Sequence, residues 1–131
     1  MREWCLAEEP VPITRYAEEI LDNADAEYGG GFAQRVRDKI VSREANVRGS
    51  ANRVALGEAD ATFVYVSDVT KDICDQVQIV EIPESFNVVA TYPIATIERS
   101  QNPDLAQSWI DLVLSDEGQK VLKKYNFEPV S

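Results

Sequence analysis

Residues 46–68 read Asn46-Val47-Arg48-Gly49-Ser50-Ala51-Asn52-Arg53-Val54-Ala55-Leu56-Gly57-Glu58-Ala59-Asp60-Ala61-Thr62-Phe63-Val64-Tyr65-Val66-Ser67-Asp68. Asn46 is a favourable N-cap, because its side-chain oxygen can accept an N–H that the first helical turn leaves unpaired. The sequence therefore predicts a helix from Val47 to Leu56, which Gly57 is placed to end. Ala61-Thr62-Phe63-Val64-Tyr65 follows as an apolar run bounded by polar residues, the pattern of a buried strand. A capped helix, a glycine stop and a buried strand in succession belong to an α/β domain.

The flanks carry the same alternation. Glu3-Trp4-Cys5-Leu6-Ala7 predicts a short strand, broken by Glu8-Glu9-Pro10-Val11-Pro12. Thr14 is expected to cap a helix through about Leu21, with Tyr16, Ala17, Ile20 and Leu21 on one face. Gly29-Gly30-Gly31 is a turn. Phe32, Val36 and Ile40 have helical spacing, so a second helix is expected over residues 32–40. Val77 to Ile82 alternates and ends at Pro83, which predicts a strand. Val88 to Tyr92 and Ile94 to Ile97 are extended segments around Pro93, which marks an edge, a bulge or a crossing point. Asn102-Pro103-Asp104 opens a helix with the stripe Leu105, Trp109, Leu112 and Val113. Ser115 caps a last helix, with Val121, Leu122 and Tyr125 on one face.

The chain has 131 residues, 44% apolar and 27% charged, which is ordinary globular composition. That length fits one domain and buries enough surface to fold without staples. With 23 acidic against 13 basic residues, the formal net charge is −10. A nucleic-acid partner is thereby disfavoured, because a phosphate track needs clustered cations. No apolar run approaches a membrane span. Met1-Arg2-Glu3-Trp4 leads straight into strand-like sequence, so no signal peptide is expected in this chain. There is no histidine, which removes Ser-His-Asp and Cys-His arrangements. Cys5 and Cys74 lack metal-binding spacing and are expected to be small buried or half-buried residues, a disulfide being possible in an oxidising compartment.

Three places can carry chemistry: the turn at Val11-Pro12-Ile13-Thr14, the helix start at Glu44-Ala45-Asn46-Val47-Arg48, and Tyr65 at the carboxyl end of a strand. Helix starts offer unpaired N–H groups and the positive end of a dipole. In open α/β sheets, ligands sit beyond the carboxyl ends of strands. Together these would make an anion site without Lys or Arg. Gly29-Gly30-Gly31 lacks the Lys and Ser/Thr of a phosphate loop. Glu58 and Asp60 have no nucleophile to serve and read as a solvated rim. Arg35, Arg37 and Lys39 read as a solvated face, and Trp109 as a packing anchor. Nothing pairs a nucleophile with a base, so no enzyme is expected.

These residues also carry a resemblance. Val11 to Leu21 is similar to the "VP-x-G-x-YA-x-E-x-L" segment of periplasmic molybdate-binding proteins. Asn46-Val47-Arg48 and Leu56 to Asp68 resemble the same family, the latter close to its "GEADAGIVY-x-TD". Ile82-Pro83-Glu84, Tyr92-Pro93-Ile94-Ala95, Asn102 to Ala106, Val113 to Gln119 and Tyr125 to Pro129 continue the likeness in order. It covers nearly the whole chain.

The family are solute-binding components of ABC importers, with two α/β lobes that trap molybdate or tungstate in a cleft. The resemblance implies one lobe of a type II periplasmic-binding-protein fold, an α/β lobe with a central mixed sheet flanked by helices and a C-terminal helical pair. Residues 1–98 would be the oxyanion-binding second lobe, and residues 99–131 the helices that return to the first lobe. The first lobe, with its two oxyanion-binding serines, has no counterpart here. The implied contacts are the backbone N–H groups of Ile13 and Val47 and the phenol of Tyr65. A donor-only lining would reject a protonated anion, and exposed acids are screened beyond about 8 Å. No cofactor and no cation ligand are implied. Implied partners are the oxyanion, a transporter permease, and a first lobe or a second copy in a swapped homodimer. The implied compartment is periplasmic. A half-site alone is expected to bind weakly or undetectably. Thr14 departs from the family's Gly and would stiffen the turn; Thr62 and Asn126 also replace Gly, Thr62 for packing and Asn126 at a left-handed position. The alternative is a ligand-sensing or protein-interaction domain of the same fold that has lost oxyanion binding.

Overall fold

The computed structural model describes residues 2–130. The chain divides into two compact units, one reaching to Ala90 and one beginning at Thr91. The first unit is α/β. Strand β1 (Trp4–Ala7) and strand β2 (Ile40–Glu44) form a parallel two-stranded sheet, in register from Cys5 opposite Ser42 to Ala7 opposite Glu44. On the other side of β1, Ala61 forms a parallel bridge with Trp4, and the Ala61 carbonyl accepts the Cys5 N–H at 3.0 Å.

Helix α1 (Pro12–Tyr28) follows β1. Its buried stripe is Ile13, Ala17, Ile20, Leu21 and Ala24, the i, i+4, i+7, i+8, i+11 spacing of one helical face. The helix outruns the predicted end at Leu21 because Ala24 continues that stripe. It stops where Gly29 adopts φ 63°, the first of three glycines in the left-handed region. The cap is Val11 and not Thr14. Pro12 takes the first helical position, where its missing N–H costs nothing. Thr14 lies inside the first turn, 3% exposed.

Helix α2 (Phe32–Arg37) is shorter than predicted, and residues 40–44 are strand β2. Ile40 continues the helical spacing of Phe32 and Val36, but the ladder to β1 captures it. Arg37 is not on a solvated face: it pairs with Glu18 at 2.7 Å and Asp22 at 2.6 Å, tying α2 to α1. Helix α3 (Val47–Ala55) follows β2, and its cap is as expected: Asn46 Oδ1 accepts the Gly49 N–H at 2.9 Å. Gly57 follows with φ 74°. Helices α1 and α3 both pack on β1. Ile20, Ala24 and Phe86 form a core cluster, joined by Phe32, Phe63, Ile82 and Val88.

The predicted strands over 61–65, 77–82, 88–92 and 94–97 do not form ladders among the described residues, Ala61 excepted. The sheet is therefore smaller than expected and purely parallel. Strand propensity records fit to a half-buried pleated surface, and it yields no strand without a partner. Ile79, Val80, Val89 and Ile97 are correspondingly exposed.

Cys5 is fully buried and its Sγ–H donates to the Ser50 carbonyl at 3.4 Å. Burial is the main cause that pushes its thiol pKa up. Cys74, expected to be at least half-buried, is exposed on the turns after Asp68, and both thiols are free.

The second unit contains α4 (Pro103–Leu114) and α5 (Asp116–Lys124). Ser115 caps α5 by accepting the Gly118 N–H at 3.2 Å. Asn126 has φ 64°, the left-handed geometry expected of it. Tyr92 meets Phe127 edge-on, with ring centroids 5.8 Å apart. Trp109 does not anchor packing: it is 61% exposed, beside exposed Leu105 and Leu112. Among the described residues, no helix is long and apolar enough to cross a membrane.

Candidate functional site

Parallel strands put their carboxyl ends on one edge. Ala7 lies opposite Glu44, so β1 and β2 finish together. Helix α1 begins at Pro12 and α3 at Val47, each a short loop beyond that edge. The run from Ala61 starts parallel to β1 and ends at Tyr65, where a short 3-10 turn (Val66–Asp68) begins. Three helical starts thus gather where an α/β sheet binds ligands.

Ile13 occupies the second position of α1 and Val47 the first of α3. No intrahelical acceptor exists for N–H groups at such positions. Their side chains do not matter to this role: Ile13 is 5% exposed, its side chain in the core while its N–H belongs to the helix end. Tyr65 is half-buried. Its ring meets Tyr16 edge-on at 6.3 Å, and α3 packs on the turn that Tyr65 opens. The structure therefore places Ile13, Val47 and Tyr65 on elements that converge at one edge.

The local chemistry holds these elements in place. Thr14 Oγ1 donates to the carbonyls of Ala7 at 2.8 Å and Glu8 at 3.1 Å, fastening the first turn of α1 to the end of β1. Asn46 fixes the start of α3. Asp68 accepts the Tyr65 N–H at 3.3 Å, closing the turn beneath the phenol. Burial pushes the Asp68 carboxyl above its ordinary value, against the opposing effect of that N–H. Arg48, next to Val47, pairs with Asp72 at 3.4 Å on the open surface.

Charge is distributed unevenly among the helix starts. The first turns of α1 and α3 contain no acid, whereas α4 carries Asp104 and α5 carries Asp116 and Glu117. The first turn of α2 is acid-free as well, and the turn after Tyr65 carries Asp68. A first turn without a carboxylate leaves the positive end of the helix dipole open to an anion. Among the described residues, no cluster of His, Cys, Asp and Glu could hold a metal ion.

Thr14, Tyr16 and Asp68 were not singled out by sequence as supports. Tyr16 had a signal, lying three residues after Ile13 and hence on the same helical face. The Thr14 and Asp68 bonds depend on where β1 and the Tyr65 turn end, and no local pattern encodes them.

A family model for bacterial extracellular solute-binding proteins matches residues 7–128. Among curated relatives, the molybdate-binding proteins ModA of Mycobacterium bovis and Mycobacterium tuberculosis are each 37% identical over 104 residues. Those matches cover 75% of this chain and 40% of each relative. A solved substrate binding domain assigned to a molybdenum ABC transporter of Clostridium difficile superposes with a TM-score of 0.77 at 30% identity. That match covers 99% of this chain and 54% of the other. The chain thus spans well under two thirds of the proteins it matches.

Proposed function

The chain belongs to the bacterial extracellular solute-binding protein family, and we propose that it is the second lobe of a receptor delivering molybdate or tungstate to an ABC importer. The observation that supports this best is the pair of acid-free helix starts, α1 and α3, set beside Tyr65 at one sheet edge. In this proposal the N–H groups of Ile13 and Val47 and the Tyr65 hydroxyl donate to a tetrahedral dianion. Backbone dipoles fixed by Thr14 and Asn46 need no reorganisation when the anion arrives, which limits the cost of ordering. A lining of donors alone has no acceptor for the proton of hydrogen phosphate, and cavity size separates molybdate from the smaller sulfate. Binding is the whole task; no cofactor and no catalysis enter it.

Residues 1–98 serve as the oxyanion lobe and residues 99–131 as the segment that engages a first lobe. That first lobe closes the cleft, and a second copy exchanging α4 and α5 is the other way to complete it. Exposed Leu105, Trp109 and Leu112 supply the apolar surface for either. The compartment is extracytoplasmic, and a permease receives the loaded receptor.

The test is a thermal melt with molybdate and tungstate, using sulfate and phosphate as controls. A ligand present at 100 times its Kd stabilises by about 2.7 kcal/mol. Because a half-site binds weakly, the titration runs to about 10 mM, where even a Kd near 1 mM adds about 1.4 kcal/mol. Stabilisation by the two heavier oxyanions alone is the expected result. Equal stabilisation by sulfate refutes the preference for the heavier oxyanions; none by any oxyanion refutes capture by this chain alone and makes the first lobe indispensable to binding.

A further inference from the structure

The opposite edge of the sheet carries a second concave feature. Trp4 opens β1 and Lys39 immediately precedes β2, and the Trp4 N–H donates to the Lys39 carbonyl at 2.8 Å. Beside this junction lies a shallow, open groove of about 480 Å³. Trp4, Phe32 and Val36 give it an apolar floor. The floor is braced from behind: the Trp4 ring stacks on Phe63 at 5.3 Å, and Phe32 packs against Tyr28 at 5.5 Å. Arg2, Arg35 and Lys39 stand around it, against the one lining carboxylate of Asp38. Arg35 is held by the Gly30 carbonyl, and Asp38 accepts the Gln34 amide at 2.8 Å. In a chain of net charge −10, cations outnumber acids here.

We infer that this groove binds a small aromatic carboxylate, its ring on the Trp4 and Phe32 floor and its carboxylate among Arg35, Lys39 and Arg2. An aromatic floor accepts a ring by stacking or edge contact. A guanidinium already oriented by Gly30 loses little freedom on meeting a carboxylate. An inorganic oxyanion would meet the same cations but leave the apolar floor of Trp4, Phe32 and Val36 uncovered. The groove lies a strand's length from Ile13, Val47 and Tyr65 and is independent of them.

The probe is phenylacetate, with uncharged phenylacetamide as control, followed by NMR on the full chain. Trp4 and Trp109 give the two indole N–H signals, and Trp109→Phe assigns them. Phenylacetate is expected to move the Trp4 signal saturably and to leave Trp109 in place. Phenylacetamide is expected to bind about fivefold more weakly, and Lys39→Gln to weaken phenylacetate by a similar factor, the scale of one exposed charge pair. The spectrum itself verifies that the variant is folded. Absence of a saturable Trp4 shift overturns the site. Equal binding of the two probes, or an unchanged affinity in Lys39→Gln, overturns its preference for anions.

Discussion

Replacing Thr14 by Val tests whether a single hydroxyl fastens α1 to the end of β1. The two side chains are nearly the same shape, and Thr14 is 3% exposed, so the substitution removes the hydroxyl with little change in packing. One hydrogen is shared between the Ala7 carbonyl at 2.8 Å and the Glu8 carbonyl at 3.1 Å. A net intramolecular hydrogen bond contributes about 1 kcal/mol, and a carbonyl stranded in the core costs about 1–3 kcal/mol. Arg43 Nη1 also reaches the Ala7 oxygen at 3.3 Å, so that carbonyl is only partly stranded. The expected loss is about 1.5 kcal/mol, or roughly 4–8 °C in Tm for a domain of this size. Urea unfolding should be followed by Trp4 fluorescence in a Trp109→Phe background, so that the signal reports the first unit. Thr14→Ser keeps the hydroxyl and should lose less than Thr14→Val. A Thr14→Val chain within about 0.3 kcal/mol of the parent would refute the anchoring role.

Tyr65→Phe should weaken molybdate binding by about tenfold or more, the scale of one hydrogen bond to a charged group; an unchanged melt titration would remove the phenol from the site. Asp68→Asn should stabilise the first unit at neutral pH. The Asp68 pKa is raised on folding, so its charged form opposes the native state above that pKa. The gain should fade as pH falls through the carboxylate range, and urea midpoints at several pH values measure it; a gain that grows in acid would contradict the burial effect. Gly118→Ala should destabilise the second unit by about 1–3 kcal/mol, because its Cβ would fall on the Leu112 and Val113 carbonyls. Trp109 fluorescence during urea unfolding in a Trp4→Phe background reports it, and a neutral result would show that the α4–α5 corner yields.

Local chemistry made several elements legible. Asn46, Gly57, Asn102-Pro103 and Ser115 act on their own neighbours, so their effect can be read from a few residues. Ile40 is the opposite case. Its spacing from Phe32 and Val36 is helical, yet a ladder to a strand more than thirty residues earlier decides its state. The apolar segments between Val77 and Ile97 stay out of the sheet for the same reason, since strand composition carries no information about which edge is available. At the candidate site, side-chain chemistry marked only Tyr65. Ile13 and Val47 would contribute backbone groups, which any residue type supplies, so they emerged from helix starts and from the family's pattern. The Thr14 hydroxyl became visible only once the end of β1 was placed.

The contrast between the two cysteines has a practical consequence. A thiol reagent attacks only an accessible thiolate. Cys74 is open to it in the folded chain, while Cys5 must wait until β1 and α3 separate. Alkylation should therefore proceed in two phases, the first set by the reagent and the second by how often that layer opens. Cys74 calibrates the intrinsic rate in the same molecule, so the ratio of the phases measures the free energy of opening around Cys5. The chain carries its own gauge of core breathing, and a ligand that fastens α3 to the sheet edge would be read directly as a slower second phase.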